Sequence, residues 1–498
     1  MDFTIKTILI FLVALAPLAF GAIDLWAYSV MELGIISVIL LAVGRELWTQ
    51  RPRPSSGLLG TTSSHSARHS TKTFFTSIGV PVVLLSFFLF LITFQMYPLP
   101  GSVLNFFSPK SYEMRRLLFS AHPLLASTKF ELSFFPLATK IEWLKWVTLS
   151  GLFVFLLIWR PRRERRNPFI PIIVAIFVVA LCESLYGMIE FFSGRRQILH
   201  VEGQEWVSSV TGTFVNRNQL AGFLVTAIPL SIGLFYSREV FSRGRLLSWR
   251  SRLASLDGKT LLIFFCIVVM MLALIFSASR MGISSLLLSV GAISLFFRDK
   301  RRKRVSLRSL IAFVLSLVWA LGIGLDPVMM RFLGSGEDFK MRWAMWKDTA
   351  RIIMDYPLLG TGLGTFTQIY PLYRSLHLYG TATHAENDFL QLASEVGLLG
   401  TGVLSILFLY LFSKAVSGLR DLSPRTPDRY VGMGGLVGGV ALMFHSMVER
   451  NIQVPANALL FTLIWGIVLR IAWPLRHSNL GVEKRVEAIQ SLSKAGPA

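Results

Sequence analysis

Apolar residues in this chain come in blocks, not at the three-to-four or two-residue spacing of a soluble helix or strand. Continuous apolar runs of about 20 residues recur, the length that crosses a bilayer core. Twelve runs stand out, near 5–22, 26–44, 78–97, 142–159, 169–192, 218–236, 260–277, 281–297, 309–326, 389–412, 431–448 and 456–473. Backbone groups in lipid need internal partners, and no alternating barrel pattern is present, so the runs predict helices. The expectation is an all-α polytopic membrane protein with about twelve transmembrane helices. The first run follows Lys6 and could pass for a signal peptide. With eleven runs behind it and no clear cleavage site, it reads as a retained first helix.

Composition agrees: 53% of the 498 residues are hydrophobic and 16% are charged. The net charge of +22 would suit a nucleic-acid partner if it were spread over one face. Instead most Lys and Arg lie in alternate loops: Arg45 to Lys72, "RPRRERR" at 160–166, Arg238 to Lys259, "RDKRRKR" at 298–304, Lys414 to Arg429, and the tail after Arg470. That is the positive-inside pattern, with anionic membrane lipids as the partner and no nucleic acid; it predicts both termini in the cytoplasm. Cys182 and Cys266 both fall inside runs, and no Cys/His spacing suggests a metal site.

With that orientation the outer face receives residues 98–141, 193–217, 278–280, 327–388 and 449–455. The chain then divides into N-terminal helices over 1–200 with an outer loop near 98–141, a second helical group over 201–326, and a large outer loop at 327–388 between runs nine and ten. C-terminal helices at 389–473 and a cytoplasmic tail at 474–498 complete it. The large loop is too long for a connector. Within it, "KMRWAMWKDTARIIMDYP" (340–357) places Met341, Ala344, Met345, Trp346 and Ile352 as an amphipathic helix near the membrane surface.

Polar residues crowd the outer ends of the runs. They fall in "FVNRNQLAGF" (214–223, with Asn216, Arg217 and Asn218), "FSASRMGI" (276–283, with Arg280), and at Arg342. "THAEND" (383–388, with His384, Glu386 and Asn387) and "HSMVERN" (445–451, with His445, Glu449 and Arg450) complete the set. Sequence-distant polar sites on one membrane face are what a single extracytoplasmic active site requires. Each also has a plain alternative. Thr383 and Glu386 have the spacing of a helix capping box. Arg280 could reach lipid phosphates, and Arg217 with its two Asn neighbours could simply start a helix. His445 and Glu449, at i and i+4, could lock runs eleven and twelve in an ion-pair network. Glu183 and Glu190 share a face of run five and suit a helix–helix hydrogen bond. "GTGLGTF" (360–366) follows no predicted strand, so a nucleotide loop is not expected. A twelve-helix transporter or flippase fits the span count, but the halves show no repeat and the polar residues cluster at one face, not the midplane.

The stretches "NRNQLAGFLVTAIPL", "SASRMG", "RWAMWKDTARIIMDYPLLGTGLGTF", "HAENDFLQLASEVGLLG" and "HSMVERNIQVPANALLF" resemble, in order and spacing, the O-antigen ligase/polymerase superfamily. The resemblance runs from about Thr211 to Gly466. It implies a membrane glycosyltransferase with the GT-C-like fold, seated in the bacterial inner membrane with its site at the periplasmic face. The donor it implies is an undecaprenyl-pyrophosphate-linked oligosaccharide, and the acceptor a glycan or lipid A–core hydroxyl. No cofactor and no metal is implied; a flippase and a chain-length regulator are implied as protein partners.

Residue by residue, Arg280 matches the arginine of the family's "SR" motif and Arg342 the arginine that opens the large-loop stretch. Both are implied to hold pyrophosphate, with Arg217 beside them. His384 keeps the first position of the family's His-containing packet, but Glu386 stands where a second His is usual. Either could take the proton from an acceptor hydroxyl, Glu386 by position and His384 by its ordinary pKa. Asn216, Asn218, Asn387, His445, Glu449 and Arg450 are the expected supporting residues. The Glu substitution and the "HSMVERNIQVPANA" segment favour a polymerase of O-antigen or exopolysaccharide repeats over a ligase that acts on lipid A–core.

Overall fold

The computed structural model describes residues 1–50, 63–121, 129–159, 161, 167–194, 197–199, 201–202, 209–242, 258–296, 335–375 and 382–473. Helices dominate these residues. The long ones are α1 (Asp2–Leu18), α2 (Leu25–Gln50), α3 (Ser63–Met96), then two short helices α4 (Gly101–Phe107) and α5 (Pro109–Ala121), followed by α6 (Pro136–Ile158) and α7 (Ile170–Ser193). After these come α8 (Arg217–Ser242), α9 (Gly258–Phe276), α10 (Arg280–Phe296), α11 (Ser335–Asp355), the single turn α12 (Phe366–Ile369), α13 (Asp388–Asp421), α14 (Pro427–His445) and α15 (Pro455–Ala472). Two minimal antiparallel hairpins, β1 (Leu99–Pro100) with β2 (Lys129–Phe130) and β3 (Gln197–Ile198) with β4 (Val201–Glu202), tie loop ends together.

Eight of these helices are long and apolar enough to cross a membrane: α2, α3, α6, α7, α8, α9, α13 and α15. This is a multi-pass membrane protein. Three more of the twelve expected runs are helices, α1 and α10 at 17 residues each and the Gly-rich α14 at 19. The ninth run, 309–326, and the basic stretch 298–304 lie outside the described residues. Local chemistry explains several helix ends. Proline occupies the first turn of α6, α7, α14 and α15, where its missing N–H leaves no bond unmade.

The centre of the bundle is α8, whose apolar stretch is wholly buried. It can sit there because α14 approaches it backbone to backbone. A methyl group on Gly434 would meet the Pro229 carbonyl oxygen at 2.3 Å, and one on Gly438 would meet that of Thr226 at 2.4 Å. Small residues at such a contact replace the hydrophobic drive that lipid removes. One continuous core then joins α1, α2, α6, α7, α8, α9, α14 and α15.

A second, smaller core sits at one end of this bundle. It packs Phe88 and Ile92 of α3, Leu104 of α4 and Leu132 against Leu359, Leu363 and Val396. The described residues of the 98–141 segment pack here as a cap: Ser133 N donates to Gln95 O, and Phe134 N donates to Thr361 O. The two long segments that connectivity separates are bonded to one another at this end.

Candidate functional site

The packet 382–388 owes its shape to three local features. Asn387 is the helix cap of α13, its side-chain oxygen accepting from Phe389 N at 3.1 Å and Leu390 N at 3.0 Å. Glu386, just before it, holds a left-handed backbone with φ 51°, which strains a residue with a side chain by about 1–2 kcal/mol. Asp388 turns its carboxylate away from the helix and accepts from Asn451 N at 2.9 Å and Ile452 N at 2.7 Å. The capping box that the Thr383–Glu386 spacing allowed as an alternative is therefore not formed. Asn387 does the capping, and Thr383 instead offers its carbonyl to Thr367 Oγ1 at 3.1 Å. Glu386 is left without a structural duty at the helix start.

A polar chain backs His384. Gln391 Nε2 lies 3.4 Å from His384 Nδ1 and donates to Glu395 Oε1 at 3.0 Å, while Gln391 Oε1 accepts from Ala385 N at 3.0 Å. Glu395 in turn accepts from Gly364 N at 2.9 Å and Phe366 N at 3.3 Å. The Gly-rich turn is thus a brace for the packet, not a phosphate loop. Its glycines answer a backbone contact: Gly360 (φ 69°) and Gly397 (φ 68°) pack so closely that a methyl on either would meet the other strand's backbone at 2.4 Å or less. Gly397 also breaks α13 internally. Gln95 of α3 completes the brace, donating to the carbonyls of Leu359 and Glu395.

The amphipathic helix of the large loop is α11, and part of its apolar face packs on the packet. Met345, Ile352 and Tyr356 are buried against Phe366, Tyr370 and Ala385, and Trp346 Nε1 donates to Ala385 O at 3.1 Å. Docking on the packet presents Arg342 to the α14–α15 connection. Arg342 Nη1 lies 2.5 Å from Val448 O and 2.7 Å from Glu449 Oε1.

His445 and Glu449 do not share a helix face, because α14 ends at His445. The run eleven–twelve lock is replaced by a tie to the large loop through Arg342. Glu449 also takes a hydrogen bond from Asn218 and feels the charge of Glu386; burial pushes its carboxyl above the ordinary value, against the pull of Arg342. His445 is fully buried, with Nε2 3.4 Å from Ser279 Oγ, the residue before Arg280. Ala278 makes that turn possible through a second left-handed, non-glycine backbone, φ 51°. Arg280, half-buried, opens α10.

Asn216 caps α8, its side-chain oxygen accepting from Asn218 N at 2.8 Å, so the helix-start reading holds for that residue. Arg217 opens α8 beside Asn218, and its buried Nη1 has no hydrogen-bond partner among the described residues. Arg450 is half-buried, and burial lowers its pKa against the charges of Asp388, Glu386, Glu142 and Glu395. Burial and the Arg450 charge push His384 down to about 3, so its imidazole is neutral at physiological pH. Glu183 makes no helix–helix bond: both its oxygens bind Thr213, at the N–H and at the hydroxyl, each at 2.8 Å.

Five segments of sequence therefore meet at one end of the bundle. Gln391, Glu395 and Gln95, which the sequence did not single out, hold them together with Asp388 and Trp346. Lys145, buried, and Glu142, half-buried, form an ion pair on α6 beside them, close enough for Lys145 to act on His384. Among the described residues no cluster of His, Cys, Asp and Glu could hold a metal ion.

A family model described as O-antigen ligase matches residues 265–405. The matched stretch runs from within α9 through the Ala278 turn, Arg280, α11 and the packet into α13. The match supports the resemblance to the O-antigen ligase/polymerase superfamily. The matched stretch holds His384, Glu386, Arg280 and Arg342, while Asn216–Asn218 and His445–Arg450 come to it from outside its bounds. No curated protein matches the chain.

Proposed function

We propose that this end of the bundle is the reaction centre of a membrane glycan transferase working at the periplasmic face of the inner membrane. It moves a glycan from an undecaprenyl-pyrophosphate carrier to an acceptor hydroxyl, and polymerises O-antigen or exopolysaccharide repeat units. One observation carries the reading: Arg342 and Glu449 meet beside Glu386 and Asn218. The Glu449 carboxylate occupies one arm of the Arg342 fork as a phosphate oxygen would, and a diphosphate can displace it.

The chemistry follows from the neighbours. The acceptor hydroxyl gives its proton to Glu386 or to the neutral His384. Its oxygen attacks the anomeric carbon of the donor, and the bond from that carbon to the diphosphate oxygen breaks. Arg280, Arg342 and Arg217 take the charge that develops on the leaving diphosphate. Gln391 keeps His384 oriented, and the left-handed backbone aims Glu386 away from the helix cap.

A second reading is favoured by the description of the matched family: a ligase, with lipid A–core as acceptor. Purified protein given a synthetic undecaprenyl-pyrophosphate oligosaccharide separates the two. A product ladder without lipid A–core supports the polymerase. A single adduct that appears only with lipid A–core supports the ligase, and no transfer under either condition rejects both.

A further inference from the structure

Asp388 opens α13, where an acidic residue ordinarily serves the helix dipole. Its surroundings give it a different task. The residue is only 7% exposed, and its carboxylate turns off the helix end towards the connection between α14 and α15. There Oδ2 accepts from both Asn451 N at 2.9 Å and Ile452 N at 2.7 Å. Asp388 N also donates to Ser446 O at 3.0 Å. One carboxylate oxygen that holds two consecutive backbone N–H groups fixes the place and the tilt of both peptide units, through charge-assisted bonds.

Those two peptide units lie between the residues of the connection that reach the packet. Arg450 precedes them and acts through its charge on His384 and Glu386, and Gln453 follows them and hydrogen-bonds His384. Glu449, next to Arg450, holds Arg342 at 2.7 Å. Asp388 itself belongs to the packet, so one side chain sets the spacing between the packet and all three groups. We propose that Asp388 is a positioning residue for the transfer: its carboxylate clamps the α14–α15 connection so that Arg450, Gln453 and Glu449 stand in register with His384 and Glu386. This rests on the transferase reading above. The clamp needs an acceptor of this length more than it needs a negative charge, which separates it from a dipole role.

Two measurements on full-length protein in nanodiscs test it. The first is hydrogen–deuterium exchange over 446–454, which needs no substrate. Asp388→Ala should speed exchange at Asn451 and Ile452 by about tenfold, the worth of one hydrogen bond. The second is single-turnover transfer from an undecaprenyl-pyrophosphate oligosaccharide, well below each variant's melting temperature. Asp388→Ala should lose about a hundredfold in rate, as expected of reacting groups misplaced by about 1 Å. Asp388→Asn, whose side-chain oxygen can accept from the same two N–H groups, should restore the rate to within about tenfold of wild type. Asp388→Glu keeps the charge at the helix start but is one methylene too long, and should not restore it. The reverse order, with Asp388→Glu active and Asp388→Asn inactive, would make Asp388 a dipole charge and overturn the proposal. Unchanged exchange in Asp388→Ala, or full activity beside raised exchange, would overturn it too. Should Asp388→Ala fail to fold, the order of the Asn and Glu variants decides. If wild-type protein transfers no glycan, the transferase reading fails, while the exchange arm still shows whether Asp388 holds the connection.

Discussion

Arg342 of the large-loop helix and Glu449 of the α14–α15 connection form an ion pair at 2.7 Å, with side chains 26% and 8% exposed. The pair fastens a loop helix to the far end of the bundle, across 107 positions of sequence. Removing only the cation should leave a largely buried carboxylate without compensation, a loss of about 3 kcal/mol. Arg342→Ala should therefore lower the melting temperature more than the double variant Arg342→Ala/Glu449→Gln does. A double variant that melts below the single one would show that the pair is not coupled.

Arginine geometry matters as well as charge. Arg280→Lys and Arg342→Lys should each reduce transfer by at least about tenfold at normal expression, because an ammonium cannot grip two phosphate oxygens through a planar fork. Near-normal turnover in both would reduce these arginines to structural or lipid contacts.

The helix start can be tested separately from chemistry. Asn387→Ala should cost about 1 kcal/mol through loss of the cap, and Thr383→Ala should be near neutral. Glu386→Gly should raise the melting temperature, since glycine adopts the left-handed backbone without strain, while transfer is lost. A stabilised Glu386→Gly that still transfers glycan would remove Glu386 from the mechanism.

His384 should give a pH signature. Its folded pKa lies far below the usual value of about 6.5. The unfolded chain therefore binds more protons between about pH 6.5 and pH 3, and stability falls as pH falls through that window. The groups facing His384 are Arg450, Lys145, Gln391 and Gln453. Between pH 7 and pH 5 the melting temperature of wild type should drop more than that of His384→Gln. Since the ring is partly exposed, the difference should stay below about 2 kcal/mol. Parallel profiles would mean that the imidazole is not desolvated.

Orientation is open to labelling in intact cells, with Cys182, which is exposed, replaced by Ser. Leu372→Cys should react with a membrane-impermeant thiol reagent, since Leu372 is 63% exposed; its neighbour Tyr370 is buried and would make a poor reporter. Arg163→Cys and Arg302→Cys should be shielded. Labelling of either from outside would invert the assumed topology.

Much of this was legible in the sequence, for a physical reason. Lipid demands long apolar runs, and polar residues at their ends are costly enough to stand out, which is why Arg280, Arg342, His384, Glu386 and Glu449 could be listed without coordinates. Pairings were not legible. The Thr383–Glu386 spacing suited a capping box, yet the helix starts four residues later, at Asp388, because Asn387 caps it. His445 and Glu449 suited one helix face, but α14 ends between them. Gln391 and Glu395 lie one and two turns inside an apolar run, where they look like ordinary interfacial residues. Glu395 accepts from backbone N–H groups of a glycine turn about 30 residues away, and Gln391 bridges it to His384. Nothing in local periodicity reports such a bond.

The most direct measurement is single-turnover transfer from an undecaprenyl-pyrophosphate oligosaccharide by Glu386→Gln and His384→Gln, each matched to wild type in expression and melting temperature. Loss of a general base lowers rate by about a hundred- to ten-thousand-fold. The account predicts a loss of that size in Glu386→Gln, with His384→Gln impaired as well. An active Glu386→Gln beside an inactive His384→Gln would move the base to His384. Full activity in both would contradict the reaction centre itself and leave the packet as no more than the start of a helix.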